Sequence, residues 1–184
     1  MPSAAVLLAD GLEEIEAVTI IDVLRRAGID VTTAGLDGTD IDGSHDIGLE
    51  ADTTLSNIEG DTFDVVILPG GEPGTTHLEE DPRVRKLLKK QYEEGRNVAA
   101  ICAAPRVLSE SGLLDNRQAT SHKGVRDKLD TAEYTEEPVA KSGRIVTSRG
   151  PGTAIPFALE LVRELVGAEK ADELADYMHF APAG

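Results

Sequence analysis

The chain of 184 residues is long enough to bury one full core and reads as a single domain over residues 1–184. Its 34 acidic residues against 18 basic ones give a net charge of −16, a surface that repels nucleic acid and anionic membranes. One cysteine excludes an internal disulfide, and no run is long and apolar enough to span a membrane as a helix. The first residues enter a strand-like run with no basic leader, so a cytoplasmic protein is expected. Aromatic residues make up only 3%, which leaves an aliphatic core of Val, Ile, Leu and Ala. The acids are spread along the chain rather than gathered in a tail, which favours a folded chain over a disordered one. In molar salt the Debye length falls to about 3 Å and self-repulsion is screened. A halophilic protein that loses stability in dilute buffer is therefore expected, with an ordinary acidic cytosolic protein as the alternative.

Ala4–Ala9 is a short apolar run and reads as a buried strand. The spacing predicts a helix over Glu13–Ala27, closed by Gly28. Asp30–Ala34 is a second strand, and Asp37–Thr53, rich in Gly, Asp and Thr, reads as a hairpin or excursion. Asp64–Leu68 is a third strand that ends at Pro69-Gly70-Gly71. A helix over Pro82–Glu94 is closed by Gly95, and a fourth strand follows at Asn97–Ile101. Pro105–Ser111 is a helix closed by Gly112; Gln118–Ser121 reads as a short strand. Two further strands lie near Val139–Lys141 and Arg144–Thr147. The chain ends in a long helix over Pro151–Val166, closed by Gly167, and a last one over Ala168–Tyr177.

Apolar strands alternating with amphipathic helices predict an α/β fold whose mostly parallel sheet is covered on both faces. Ligands bind such sheets at the carboxyl ends of the strands, where Pro69-Gly70-Gly71 and Cys102 both lie. The first helix is apolar on nearly every side from Ile15 to Leu24. One face must cover the sheet; the other packs either on a second subunit or under the last helices of the same chain.

Cys102 follows a buried strand and precedes a helix that starts near Pro105. A nucleophile at such a turn is lifted out of the sheet, and the helix N-terminus favours a thiolate. The other reading is a small buried hydrophobe. Glu16, flanked by Ile15 and Ala17, is placed for partial desolvation and a raised pKa. In protonated form it can donate to the cysteine sulfur. Glu13 and Glu14 read instead as a solvated first turn. Gly70 and Gly71, with the N–H of Ala103, can form an oxyanion hole or simply a tight turn. His122 is a candidate general base or orienting group, although a lone loop histidine is often inert. His45, His77 and His179 are weaker candidates. Gly150 and Pro151 open the long helix, where they bound a pocket, bind an anion or merely start the helix. The histidines and the cysteine show no metal-ligand spacing, and no cofactor is expected.

Five segments occur in one order: Ala9-Asp10-Gly11-Leu12-Glu13-Glu14-Ile15-Glu16, Leu68-Pro69-Gly70-Gly71, Ala100-Ile101-Cys102-Ala103-Ala104-Pro105, Thr120-Ser121-His122 and Thr147-Ser148-Arg149-Gly150-Pro151-Gly152-Thr153. Together they resemble the ThiJ/PfpI superfamily, and most closely the branch of the parkinsonism-associated protein deglycase. The resemblance runs to about Gly167. It implies a flavodoxin-like three-layer sandwich with a nucleophile elbow at Cys102, and a homodimer that uses the first helix. It also implies an oxidation-sensitive nucleophile at Cys102, a protonated partner at Glu16 and a nearby histidine at His122. The implied activities are cofactor-free glyoxalase or deglycase action on methylglyoxal, protection against oxidative stress and chaperone-like behaviour. The protease-like branch has a histidine directly after its cysteine; here Ala103 stands there, so peptidase activity is not expected. His179-Phe180-Ala181 does not supply the late His-x-Glu pair of glutamine amidotransferases. Relatives of the deglycase tend to carry arginine at the position of His45. The expected enzyme attacks a reactive aldehyde with Cys102; a redox sensor signalling through oxidation of the same thiol is the alternative.

Overall fold

Every residue of the first strand but one is buried, and its side chains alternate between two cores. Ala4, Val6 and Leu8 face one, and Ala5, Leu7 and Ala9 face the other. That period of two is the pleat of a strand with helices on both sides. The computed structural model describes residues 1–129 and 131–181. Its first half runs β1 (Ser3–Leu8), α1 (Glu14–Arg26), β2 (Asp30–Gly35), β3 (Asp40–Asp42), β4 (Gly48–Glu50), β5 (Thr53–Thr54), α2 (Leu55–Ile58), β6 (Val65–Leu68) and α3 (Gly74–Glu80). The second half runs α4 (Pro82–Glu93), β7 (Asn97–Ile101), α5 (Pro105–Glu110), β8 (Gln118–Ala119), β9 (Glu133–Tyr134), β10 (Val139–Ser142), β11 (Ile145–Ser148), α6 (Ala154–Leu165) and α7 (Ala168–Tyr177).

The central sheet has the order β10-β11-β7-β6-β1-β2-β5. All its pairings are parallel except the antiparallel hairpin of β10 and β11. Helices α1, α6 and α7 supply Ile20, Leu24, Phe157, Leu161 and Leu174 to one core. Leu78, Val84, Leu88, Val107 and Leu108 of α3, α4 and α5 fill the other. This is the mostly parallel sheet covered on both faces that the alternation of strands and helices predicts, and the flavodoxin-like sandwich that the resemblance implies; it stacks the ends of β1, β6 and β7 at one edge. No described helix is long and apolar enough to cross a membrane.

Asp37–Thr53, read as a hairpin or excursion, is a hairpin of β3 and β4 folded over the start of α1, with the Gly11 N–H on Asp42 and the Ser44 N–H on Leu12. Other elements differ from the sequence reading. The predicted helix over Pro151–Val166 begins as a 3-10 turn at Pro151–Thr153. There the Thr153 hydroxyl takes the N–H groups of Arg149 and Gly150 and bends the first turn away from α-helical geometry. The strand read at Gln118–Ser121 is two residues long and pairs with β9, outside the central sheet. Helices α2 and α3 and a 3-10 helix at Lys123–Lys128 carry too few apolar repeats to be visible as periodicity.

α1 has a buried face and an exposed one. Ala17, Ile20, Val23 and Leu24 are buried between the sheet and α6, whereas Ile15 is 59% exposed and Val18 46%.

Candidate active site

β7 delivers its last residue, Ile101, into the sheet, and the chain then turns sharply. Cys102 has φ of +64°, the left-handed region that a side chain with a Cβ rarely adopts. Neighbouring elements hold it there. The Cys102 N–H donates to the Ser148 carbonyl at 3.0 Å, and the Cys102 carbonyl accepts from the His122 N–H at 2.7 Å. The strand-to-helix elbow is thus pinned by β11 on one side and by the loop before the 3-10 helix on the other.

Glu16 lies on α1 and is 0% exposed. Its backbone N–H is capped by the Glu13 carboxylate at 2.7 Å. Its own Oε2 accepts from the Gly70 N–H at 2.8 Å, and Oε1 meets no protein donor among the described residues. Cys102 lies next to it across Gly70. Gly70 makes this meeting possible: a Cβ there would lie 2.6 Å from the Cys102 Cβ and 2.8 Å from Glu16 Oε2. Gly71 follows with φ of +96°, and a Cβ on it would overlap the backbone nitrogen of Glu13. Both glycines are therefore required by close approach.

Burial pushes the Glu16 carboxyl up to about 7, against the opposing pull of the Gly70 N–H and the thiol. The expectation of a thiol lowered by the helix N-terminus is corrected. Burial first, and then the negative charge of Glu16, push Cys102 up to about 12, while the N–H groups of Ala103 and Gly71 pull it down. The two groups act as one unit: they accept a single negative charge and resist a second. A thiolate near neutral pH requires the remaining proton to sit on Glu16.

The sequence candidates are distributed as follows. The N–H groups of Gly71 and Ala103 act on the thiol by pulling its pKa down, whereas the N–H of Gly70 is engaged by Glu16 and is not a free oxyanion donor. His122 is brought to Cys102 by its backbone, and its ring is exposed. The ring Nδ1 accepts from the Gly124 N–H at 3.1 Å, so the neutral imidazole carries its proton on Nε2. Gly150 and Pro151 line a depression of about 280 Å³ together with His122, Lys123, Arg149 and Thr153.

Two contributors escaped the sequence reading. Glu13 is the N-cap of α1, a role signalled by its spacing of three from Glu16. Arg106 sits in the first turn of α5, where the helix dipole disfavours a cation. Its guanidinium reaches Glu72, Glu79 at 3.2 Å and the Thr76 hydroxyl at 2.8 Å, which ties the segment after Gly71 to the helix after Cys102. Glu14, read as solvated, is buried and pairs with the His45 ring at 2.8 Å. Burial raises it, but the ring and backbone N–H of His45 outweigh that and hold it down at about 2. Glu13, Glu14 and His45 bring ligand atoms within 4.8 Å of one another, a cluster that no sequence spacing announces. Capping by Glu13 and the Glu14–His45 pair already engage these groups.

A cysteine raised from the carboxyl edge of a flavodoxin-like sheet, against a fully buried glutamate, defines a thiol site of one known class. The profile of the DJ-1/PfpI family matches residues 2–164, and the chain belongs to that family. It is 45% identical over 176 residues to protein dj-1beta of Drosophila melanogaster, covering 94% of each chain. Over 175 residues it is 39% identical to the glutathione-independent glyoxalase DJR-1.2 of Caenorhabditis elegans, covering 94% of this chain and 93% of that one. The crystal structure of Drosophila melanogaster DJ-1beta superposes with a TM-score of 0.95 at 44% identity, covering 98% of both chains.

Proposed function

We propose that the protein is a cysteine-dependent, cofactor-free enzyme of the glyoxalase or deglycase type, acting on methylglyoxal or a related reactive carbonyl under stress. The observation that carries this reading is the strained elbow of Cys102 facing the buried carboxyl of Glu16. With the shared proton on Glu16, the thiolate adds to the aldehyde carbon and forms a hemithioacetal oxyanion. The N–H groups of Gly71 and Ala103 receive that oxyanion. Glu16 and His122 then move the proton from the former aldehyde carbon to its neighbour, which turns the hemithioacetal into a thioester of a 2-hydroxy acid. Water releases the acid and restores the thiol. The sum is oxoaldehyde plus water giving hydroxy acid, and it balances without glutathione. Lactate formation from methylglyoxal in molar KCl should be lost in Cys102→Ser and strongly weakened in Glu16→Gln. A folded Cys102→Ser protein that still turns over would overturn the mechanism.

A redox sensor, coupled to chaperone-like protection, is a second reading supported by the same pair. A Glu16 carboxyl held partly protonated near neutral pH can donate to a cysteine sulfinate. Mass spectrometry after mild peroxide should find Cys102 oxidised before any methionine; a resistant Cys102 in folded protein excludes this role.

The reading takes residues 1–184 as one functional unit in the cytoplasm of a salt-adapted cell, with a small carbonyl substrate and neither nucleic acid nor membrane as partner. It includes a homodimer through the helix around Ile15–Leu24, supported by the exposure of Ile15 and Val18. Sedimentation of Val18→Glu should show a monomer if this face is the interface.

A further inference from the structure

The depression that His122 shares with Lys123, Arg149, Gly150 and Pro151 differs in charge from the rest of the molecule. The chain carries 34 acids against 18 bases, yet the described residues lining this depression include Lys123 and Arg149 and no carboxylate. Both walls hang on the cysteine. The His122 N–H donates to the Cys102 carbonyl at 2.7 Å, and the Cys102 N–H donates to the Ser148 carbonyl at 3.0 Å. Lys123 and Arg149 are each the next residue beyond those anchors. Neither cation is neutralised by an acid among the described residues. The Arg149 guanidinium donates to the backbone carbonyl of Glu136 at 2.8 Å, while the Glu136 carboxylate lies 3.7 Å from Arg126.

We propose that this depression is an anion subsite, and that the enzyme's preferred substrates are reactive carbonyl compounds carrying a carboxylate or phosphate a few bonds from the aldehyde. The inference rests on the reading of Cys102 as the nucleophile. On a surface that repels anions, a local pair of unneutralised cations focuses them onto the thiol and orients the carbonyl end toward the N–H groups of Gly71 and Ala103. Methylglyoxal has no anionic group and leaves this subsite empty.

Alkylation of Cys102 tests the subsite without catalysis. In iodoacetate and iodoacetamide the same thiolate displaces the same iodide; only the first reagent carries a carboxylate. At low salt, the ratio of the iodoacetate rate to the iodoacetamide rate should fall at least about threefold in Lys123→Gln/Arg149→Gln. Each variant's iodoacetamide rate is its own reference, so altered thiol reactivity cancels. Lys123→Gln alone, at an exposed position, keeps the test usable if the double variant folds poorly. Added KCl should lower the wild-type ratio as well. A ratio unmoved by both substitution and salt overturns the subsite. Turnover then decides the substrate class: 4,5-dioxopentanoate should exceed the neutral 2-oxopentanal in kcat/KM, and the advantage should shrink in the double variant. Equal turnover of the two overturns the substrate class. If neither oxoaldehyde is consumed, the proposed enzyme fails while the alkylation ratio still reads the subsite. Protection by inorganic phosphate stronger than by acetate assigns phosphate-bearing substrates; the reverse assigns carboxylate-bearing ones.

Discussion

Two glutamates two positions apart on α1 are driven in opposite directions, Glu14 down to about 2 and Glu16 up to about 7. Both are buried; the difference is the partner. Glu14 meets the His45 ring and N–H, whereas Glu16 has one N–H on Oε2 and no donor on Oε1 among the described residues. A carboxyl raised in the folded state stabilises the fold fully below its unfolded pKa, and that contribution is lost as pH rises through the folded value. For Glu16 the window runs from the ordinary 4.5 to about 7. Glu16→Gln abolishes ionisation at this site. Its stability relative to wild type should therefore rise by about 1–3 kcal/mol between about pH 5 and about pH 8, read by thermal or urea unfolding at each pH. A difference independent of pH would show that Glu16 does not titrate in this window. Cys102 alkylation should also change form. The proposed mechanism requires the first proton lost from the pair to leave sulfur, so the wild-type iodoacetamide rate should rise through the pair's first titration and level off while the second proton stays put. A single rise far above pH 9 would place the charge on Glu16 and remove the nucleophile. The raised Glu16 was legible from its apolar neighbours. The raised thiol was not, because burial of an elbow depends on elements distant in sequence.

At the scale of elements, the strand-to-helix alternation was legible because each central strand is short, apolar and bounded by Gly, Pro or Asp. Elements fixed by tertiary contacts were not. α3 has only Leu78 as a large buried residue, and it is clamped from outside by Arg106 through Glu79 and Thr76. The Arg106 side chain is 12% exposed, so the clamp is partly withdrawn from solvent. It makes Arg106 a positioning residue for Gly71, which touches the site one residue before Glu72. Arg106→Ala should cost about 1–3 kcal/mol in stability, since it leaves two carboxylates unpaired. Turnover should fall about tenfold through kcat, with KM little changed, because the N–H of Gly71 drifts from the oxyanion. Arg106→Lys keeps the charge but not the planar fork, and should recover stability better than kcat. A purely structural role would instead lower active enzyme concentration and leave kcat per folded molecule intact.

The whole molecule sets a local demand against a global one. Lys123 and Arg149 line one depression, while the surface as a whole carries a net charge of −16. Ion pairs such as Arg25–Asp52, Arg96–Asp64 and Arg163–Asp172 are half-exposed and offset little of that excess. In dilute buffer the uncompensated acids repel one another across the folded surface and favour the expanded chain. Molar salt shortens the Debye length to about 3 Å, less than most distances between these carboxylates, and removes the penalty. For a chain of this size each kcal/mol regained moves the midpoint by roughly 2–4 °C. The melting temperature should therefore climb by about 5 °C or more between dilute buffer and molar KCl. The same salt weakens an anion subsite, so the iodoacetate preference of Cys102 should fall over the range in which stability rises. A midpoint that stays flat would mean that the acids are spaced widely enough not to oppose folding, and the halophilic reading of the composition would then be wrong.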